Sequence, residues 1–320
     1  MNLSLVIPVF NEKDNLPLLF DAIYSTMNAL ERTWELILVD DGSRDKSLSV
    51  LKEYAEKDPE HIRVISFRRN FGQTAAIAAG LDYSQGEIIV LLDADMQNDP
   101  ADIPMMLAKL DEGYDLVSGW RKQRKDNAVT RNFPSALANW LISRVTGVHL
   151  HDYGCTLKVY RRDVLEGFRL YGEMHRFIPV YADSVGANIT EVPVRHHPRK
   201  FGKTKYGLER SVKVVLDLFT VKFLISYASK PIYLFGGAGG FLMVVSAIIM
   251  LFLFIRRVFF FVGIANSPLL QMSAMFFILG VQSILMGLIA ELLVRTYHES
   301  QRKPTYTIRT MLNLKRDPRE

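Results

Sequence analysis

The first half of the chain alternates short apolar runs with segments in which apolar residues recur at helical spacing. Strands are predicted at Leu3–Val9, Trp34–Asp40, Ile62–Phe67, Glu87–Leu92 and Asp115–Ser118, and helices at Asp14–Leu30, Lys46–Lys57, Thr74–Tyr83 and Ala101–Glu112. This alternation is the rhythm of a doubly wound α/β sheet. Runs such as Ile88-Ile89-Val90-Leu91-Leu92 carry no polar alternation, so they predict strands covered on both faces, as in a parallel sheet. Past residue 206 the pattern changes. From Leu208 to Ala228 apolar residues recur at helical spacing between Glu209, Arg210, Lys213, Asp217 and Lys222, which predicts amphipathic helices lying in a membrane interface. No charge occurs from Pro231 to Ile255 or from Ser267 to Ala290, and each run is long enough to cross a bilayer core of ~30 Å. A buried hairpin of a large soluble domain is the competing reading. The pattern divides the chain into an α/β domain over 1–206, amphipathic juxtamembrane helices over 207–229, a two-span hairpin over 230–295 and a tail over 296–320.

Composition narrows this picture. Cys155 is the only cysteine, so no intrachain disulfide is possible and an oxidising compartment is not indicated. A net charge of +5 over 320 residues fits an anionic partner, either a membrane surface or phosphates. Nucleic acid is disfavoured, because no recognition motif and no basic, aromatic-rich element occurs. The first residues lack a basic region and a cleavage site, so they read as a first strand and not as a signal peptide. The turn Pro8-Val9-Phe10-Asn11-Glu12 contains no glycine and no Walker loop occurs, which argues against a dehydrogenase or a P-loop kinase.

The candidate chemistry gathers at predicted strand ends, where open α/β sheets bind ligands. If extension continues past Leu92, period-two spacing puts Asp93, Asp95 and Gln97 on one side, as three hard oxygen ligands for one Mg²⁺ or Mn²⁺. The alternative is a turn in which Asp95 and Asn98 cap the helix opened by Pro100. Val39-Asp40-Asp41-Gly42-Ser43 places another carboxylate pair at the same edge, to read a base or ribose or to cap the helix near Lys46. Arg68, Arg69 and Gln73 precede a predicted helix whose N-terminus favours anions, or form a solvated basic turn. Arg121, Lys122, Arg124, Lys125 and Arg131 make a basic loop suited to a phosphate-bearing acceptor, or a plain surface loop. Arg199, Lys200, Lys203 and Lys205 form a basic segment just ahead of the membrane-associated helices, placed for a lipid phosphate or for general attraction to anionic lipid.

Val6-Ile7-Pro8 with Asn11-Glu12, then Val39-Asp40-Asp41-Gly42-Ser43, then Asp93-Ala94-Asp95 with Gln97, together resemble the family-2 glycosyltransferases of the GT-A fold. The resemblance implies that Pro8, Phe10, Glu12 and Asp41 surround the nucleotide, and that Asp93, Asp95 and Gln97 hold Mg²⁺ or Mn²⁺ on its diphosphate; Arg69 and Gln73, by their place ahead of the helix, are expected to join the nucleotide-sugar site. Asp152-Tyr153-Gly154-Cys155, with Arg176-Phe177-Ile178-Pro179, resembles the polyprenyl-phosphate branch. Within it the undecaprenyl-phosphate aminoarabinose and glucose transferases look nearest, and dolichyl-phosphate mannose synthase is more distant. In that branch the carboxylate at Asp152 sits beside the acceptor and the reacting sugar, so Asp152, Asp95 and Arg121 are expected as the catalytic groups. Structurally, Asp152 could instead only brace its turn.

The expected reaction is inverting transfer of a monosaccharide from a UDP- or GDP-sugar to a polyprenyl phosphate such as undecaprenyl phosphate, supplying envelope glycan modification. Two spans put both termini on one side, and the heavier basic flank assigns that side to the cytoplasm, although Arg256 and Arg257 in the loop weaken the count. The chain is therefore expected as a multi-pass protein of the inner (plasma) membrane with its catalytic domain in the cytoplasm. The glycines Gly236, Gly237, Gly239 and Gly240 allow close helix approach, and relatives with such helices often form tetramers, so a homo-oligomer is expected. A processive polysaccharide synthase is the alternative enzyme, but its Gln-x-x-Arg-Trp motif and additional spans are missing. A non-enzymatic membrane scaffold would be favoured by loss of the acidic pair, and Asp93 and Asp95 are intact.

Overall fold

The computed structural model describes residues 2–122, 139, 142–144, 146–165, 170, 174–198, 232–260, 263, 267–300 and 306–314. They belong to two compact units: Met1–Val221 with Pro304–Glu320, and Lys222–Lys303.

The first unit is built on one sheet. Its elements are β1 (Leu3–Val9), α1 (Leu16–Met27), β2 (Trp34–Asp40), α2 (Ser47–Lys57), β3 (Ile62–Phe67), α3 (Gln73–Tyr83), β4 (Ile88–Leu91), α4 (Ile103–Asp111), β5 (Leu116–Trp120), β6 (Lys158–Arg161), α5 (Ile178–Ser184), β7 (Ile189–Pro193) and β8 (Ile308–Leu312). The strand order is β7-β5-β6-β4-β1-β2-β3-β8. Leu3, Leu5, Ile7 and Val9 of β1 pack into one core with Leu16, Leu19, Phe20 and Ile23 of α1, Leu51 of α2, and Ile103, Met106 and Leu110 of α4. The alternate side chain Val6 is also fully buried. Strands covered on both faces bury their whole length, which is why their sequence runs without polar alternation.

The alternation of strands and helices predicts a parallel sheet, and β1 pairs in parallel with β2 and β4, β2 with β3, and β5 with β7. Two strands depart from it. β6 runs antiparallel between β4 and β5. An antiparallel strand begins where its neighbours end, so the residues leading into β6 arrive at the carboxyl end of β4. β8 pairs antiparallel with β3. It lies in the stretch read from sequence as a tail, and it is fastened to the sheet: the Tyr306 hydroxyl donates to Asp82 at 2.7 Å, the Tyr306 ring stacks on Phe67, and the Asn313 amide donates to the carbonyls of Ala55 and Ile62.

The second unit contains two long helices, α6 (Ile232–Phe260) and α7 (Pro268–Ser300). Both are long and apolar enough to cross a membrane. Small residues bring them together. A Cβ on Gly239 would lie 2.5 Å from the Gly280 carbonyl oxygen, so neither position admits a larger side chain without separating the helices. Ser246 and Ser273 donate to each other's backbone carbonyls at 2.8 and 3.1 Å, and the Ser283 hydroxyl donates to the Phe235 carbonyl at 2.9 Å. Phe241, Val244, Ile248, Leu251, Phe277 and Ile278 face outward. An apolar exterior over a small, polar seam is the arrangement that lipid, and not water, favours.

Candidate active site

The acidic pair follows β4, but not in extended form. Backbone extension stops after Leu91, Met96 takes a left-handed conformation with φ of 59°, and the Gln97 N–H donates to Asp95 Oδ1 at 3.1 Å. Asp93 and Asp95 are thus brought together by a turn and not by strand periodicity, with the Gln97 backbone bonded to Asp95. The capping alternative is answered by a different residue. Asp99 accepts from the Ala101 N–H at 3.0 Å at the entry of the helical turn, which leaves Asp95 and Asn98 with other partners.

Asp93 is tied from two sides. Gln73 Nε2, at the start of α3, donates to its Oδ1 at 2.7 Å, and the Thr156 hydroxyl donates to its Oδ2 at 2.8 Å. Asn98 Nδ2 in turn donates to Thr156 Oγ1 at 2.9 Å. Burial, then the neighbouring Asp95 charge, pushes the Asp93 carboxyl up to about 6, although the Thr156 hydroxyl and the fields of Arg121 and Lys158 pull the other way. A site short of positive charge is what a cation would complete. The donor set fits such an ion: carboxylate oxygens with a nearby amide suit Mg²⁺ or Mn²⁺, which leave positions open for phosphate oxygens and water. Among the described residues no group of three or more His, Cys, Asp or Glu is placed to hold a metal ion, so Asp93 and Asp95 would need further oxygen ligands, from Gln97, phosphate or water, to complete a site.

Asp41, at the end of β2, accepts the N–H groups of Phe71 at 2.6 Å and Gly72 at 3.0 Å. It therefore does not cap α2; it holds the turn between β3 and α3. Burial pushes its carboxyl up to about 6 against those two amides. Gly42, with φ of 67°, permits this docking, since a Cβ there would sit 2.5 Å from the Arg69 carbonyl carbon. Arg69 is exposed, with its guanidinium over the Phe71 ring at 4.4 Å. Pro8, Phe10 and Glu12 are half-buried at the adjacent end of β1, where Glu12 accepts from Asn15 Nδ2 at 2.7 Å.

The segment leading into β6 adds the second acidic centre. Asp152 is buried and accepts Arg121 Nε at 2.6 Å and Nη2 at 2.9 Å, a bidentate pair. Its Oδ1 also accepts the Gly154 N–H at 3.1 Å. The carboxylate raises the Arg121 pKa further above its ordinary value despite the burial of the guanidinium. Trp120 and His151 stack beside this pair, with ring centroids 4.3 Å apart. Through Thr156 the β6 segment joins Asp152 and Arg121 to the Asp93 turn. Arg131, Arg199, Lys200, Lys203 and Lys205 lie outside the described residues.

Sequence reasoning does not single out Thr156 or Lys158, and it names Asn98 only as a capping candidate; the signal for the first two is faint. Thr156 and Lys158 share parity with Asp152, so an extended chain sets them on one side, but nothing in the pattern reveals that this side meets β4.

Residues 4–168 match the model of the family described as glycosyl transferase family 2. The chain is 41% identical over 316 residues to dodecaprenyl-phosphate galacturonate synthase of Rhizobium johnstonii, covering 98% of this chain and 94% of that one. It is 37% identical over 306 residues to undecaprenyl-phosphate 4-deoxy-4-formamido-L-arabinose transferase of Pseudomonas aeruginosa, covering 95% and 88%. Among solved structures it resembles in fold the glucosyl-3-phosphoglycerate synthase of Mycobacterium tuberculosis in complex with Mn²⁺, UDP and phosphoglyceric acid. That likeness has a TM-score of 0.53 at 20% identity over 69% of this chain and 78% of that one. With acidic groups at the ends of β2 and β4, a glycine-free first turn, and a family match over half its length, this chain belongs to glycosyl transferase family 2 and is a glycosyltransferase.

Proposed function

We propose that the protein transfers a monosaccharide from a UDP- or GDP-sugar to a polyprenyl phosphate at the cytoplasmic face of the inner membrane, supplying a lipid-linked sugar for envelope glycan modification. The geometry supports this reading through one observation. The Asp93 turn and the Arg121–Asp152 pair, from opposite ends of β4 and β6 in sequence, are joined by Thr156. Relatives named for polyprenyl-phosphate acceptors support it over nearly the whole chain, hairpin included.

The donor's nucleotide belongs at the ends of β1 and β2, against Pro8, Phe10, Glu12 and Asp41, with Arg69 and Gln73 toward the phosphates. Asp93, Asp95 and Gln97 would hold Mg²⁺ or Mn²⁺, which supplies charge neutralisation for the departing diphosphate. An acceptor phosphate is already anionic near neutral pH, so it needs little help in losing a proton. Asp152 is poorly suited to be a base in any case, because both of its oxygens are engaged by Arg121. It orients that guanidinium toward the acceptor and places negative charge near the anomeric carbon as positive charge develops there. Attack from the face opposite the leaving diphosphate inverts the centre. Arg131, Arg199, Lys200, Lys203 and Lys205 complete the acceptor side. Two spans would leave both termini on one side, and the heavier basic flank supports the cytoplasm as that side. A homo-oligomer, a tetramer by resemblance, accompanies the reading: Gly237 and Gly240, where an added Cβ would meet nothing, leave small positions outside the helix seam.

The test incubates purified protein with labelled UDP- and GDP-sugars, undecaprenyl phosphate and Mg²⁺ or Mn²⁺. A butanol-extractable labelled product is expected with one donor, and Asp152→Asn should form it more slowly by at least tenfold. No product with any donor would refute the activity, and full turnover by Asp152→Asn would refute the role given to Asp152.

A further inference from the structure

Lys158 is the first residue of β6 and is 3% exposed. In register it lies opposite Leu91, the last residue of β4, and opposite Ser118 of β5. It therefore sits at the carboxyl end of β4 and beside the middle of β5. Its ammonium donates to the Tyr153 carbonyl at 3.3 Å and to the Cys155 carbonyl. Among the described residues no carboxylate lies within ion-pair distance of it, although its field reaches both Asp152 and Asp93.

A buried ammonium without an acidic partner is costly, by several kcal/mol in general, and a methionine of similar length would fill the same space without that cost. Burial pushes its pKa down to about 8; Cys155 and the Asp152 charge pull the other way, and Arg121 and Arg176 add to the fall. Three cations share one region while the carbonyls of the 152–155 turn are the acceptors that Lys158 reaches. Those two carbonyls bracket Gly154, and Gly154 donates its N–H to Asp152. An ammonium that gathers them fixes how far the Asp152 carboxylate projects toward Arg121.

Resting on the proposed transfer reaction, we infer that Lys158 is a positioning residue for it: by binding the carbonyls of Tyr153 and Cys155 it sets the Asp152–Arg121 pair against the Asp93 turn. It does not touch the substrates, so its loss should lower turnover without altering donor affinity. A lysine that merely filled the core would give a different signature, in which stability falls, turnover per folded molecule is kept, and a methionine serves as well.

The experiment compares the full chain in detergent with Lys158→Met and Lys158→Arg, measuring kcat and KM for donor and for undecaprenyl phosphate beside thermal unfolding. Lys158→Met is expected to lower kcat by about tenfold to a hundredfold, a range typical of groups that orient a reacting residue from behind it. The donor KM should stay within about twofold, and Lys158→Arg should recover most of the lost kcat. Parental kcat in Lys158→Met overturns the inference, as does a loss of folded protein in Lys158→Met with unchanged turnover per folded molecule. If the parent chain itself makes no lipid-linked product, the functional reading falls and this falls with it. A parent that turns over while Lys158→Met keeps pace overturns the positioning role alone.

Discussion

The two ends of the sheet both bury carboxylates and treat them in opposite ways. At the amino-terminal end Glu35 has no exposed surface, yet its charge is closed off: Arg63 is its ion partner, the Ser4 hydroxyl donates to it, and the Gln85 N–H donates at 2.6 Å. Ser4 in turn accepts the Gly86 N–H at 2.7 Å. At the carboxyl end Asp93 bonds, among the described residues, to the neutral groups of Gln73 and Thr156, with Asp95 beside it, and its carboxyl is pushed up to about 6. Asp152 is the intermediate case, buried but matched by Arg121. An acid neutralised within the fold holds strands together; an acid left short of positive charge is completed by something the fold does not contain.

The contrast predicts opposite phenotypes. Asp95→Ala should lower kcat/KM for product formation by about 10³-fold, the scale of losing a principal electrostatic group, while its melting temperature stays within a few degrees of the parent. Glu35→Ala should do the reverse. It leaves the Arg63 guanidinium buried without its partner and should cost about 3 kcal/mol of stability, with turnover per folded molecule unchanged. Denaturant unfolding and initial rates on the same samples separate the two. An unfolded Asp95→Ala, or a folded and inactive Glu35→Ala, would break the division between the ends.

How far this division could be read from residues alone depends on the range of the interactions. The strands β1 to β5 announce themselves locally, because burial on both faces writes continuous apolar runs into the sequence. The acidic turns show as carboxylates at the ends of those runs. β8 does not show: five residues with an edge position and a partner more than two hundred residues away carry no local signature, so Ile308–Leu312 reads as tail. The antiparallel sense of β6 is equally hidden, and with it the Thr156–Asp93 bond that joins the two acidic centres. Strand periodicity predicts Asp93, Asp95 and Gln97 on one side of an extended chain, but the backbone turns after Leu91, and positive φ at Met96 has no marker comparable to a glycine. Asp99, three residues past Met96, takes the capping role because the first helical turn begins at Pro100, which fixes the N-cap one residue before it.

The smallest expected effect is also the most direct on the missing positive charge. Burial and the Asp95 charge push the Asp93 carboxyl up to about 6 in the fold, against about 3.9 for an unfolded chain, so between those values the folded state holds the extra proton. Stability therefore falls as pH rises from about 4 to 6, and the full cost is present above 6. A divalent cation bound to the ionised carboxylate removes that cost and must displace the proton below it, so its apparent affinity weakens by up to about tenfold per pH unit under 6. At one fixed concentration of Mn²⁺ or Mg²⁺, the rise in melting temperature should be larger at pH 7 than at pH 5, by no more than about 1.4 kcal/mol in free energy. Asp93→Asn should remove this pH dependence, and Glu35→Ala, at the end whose charge is already closed, should keep it. Equal shifts at the two pH values in the parent, or a pH dependence that survives Asp93→Asn, would move the cation away from the β4 turn and leave the two ends of the sheet alike.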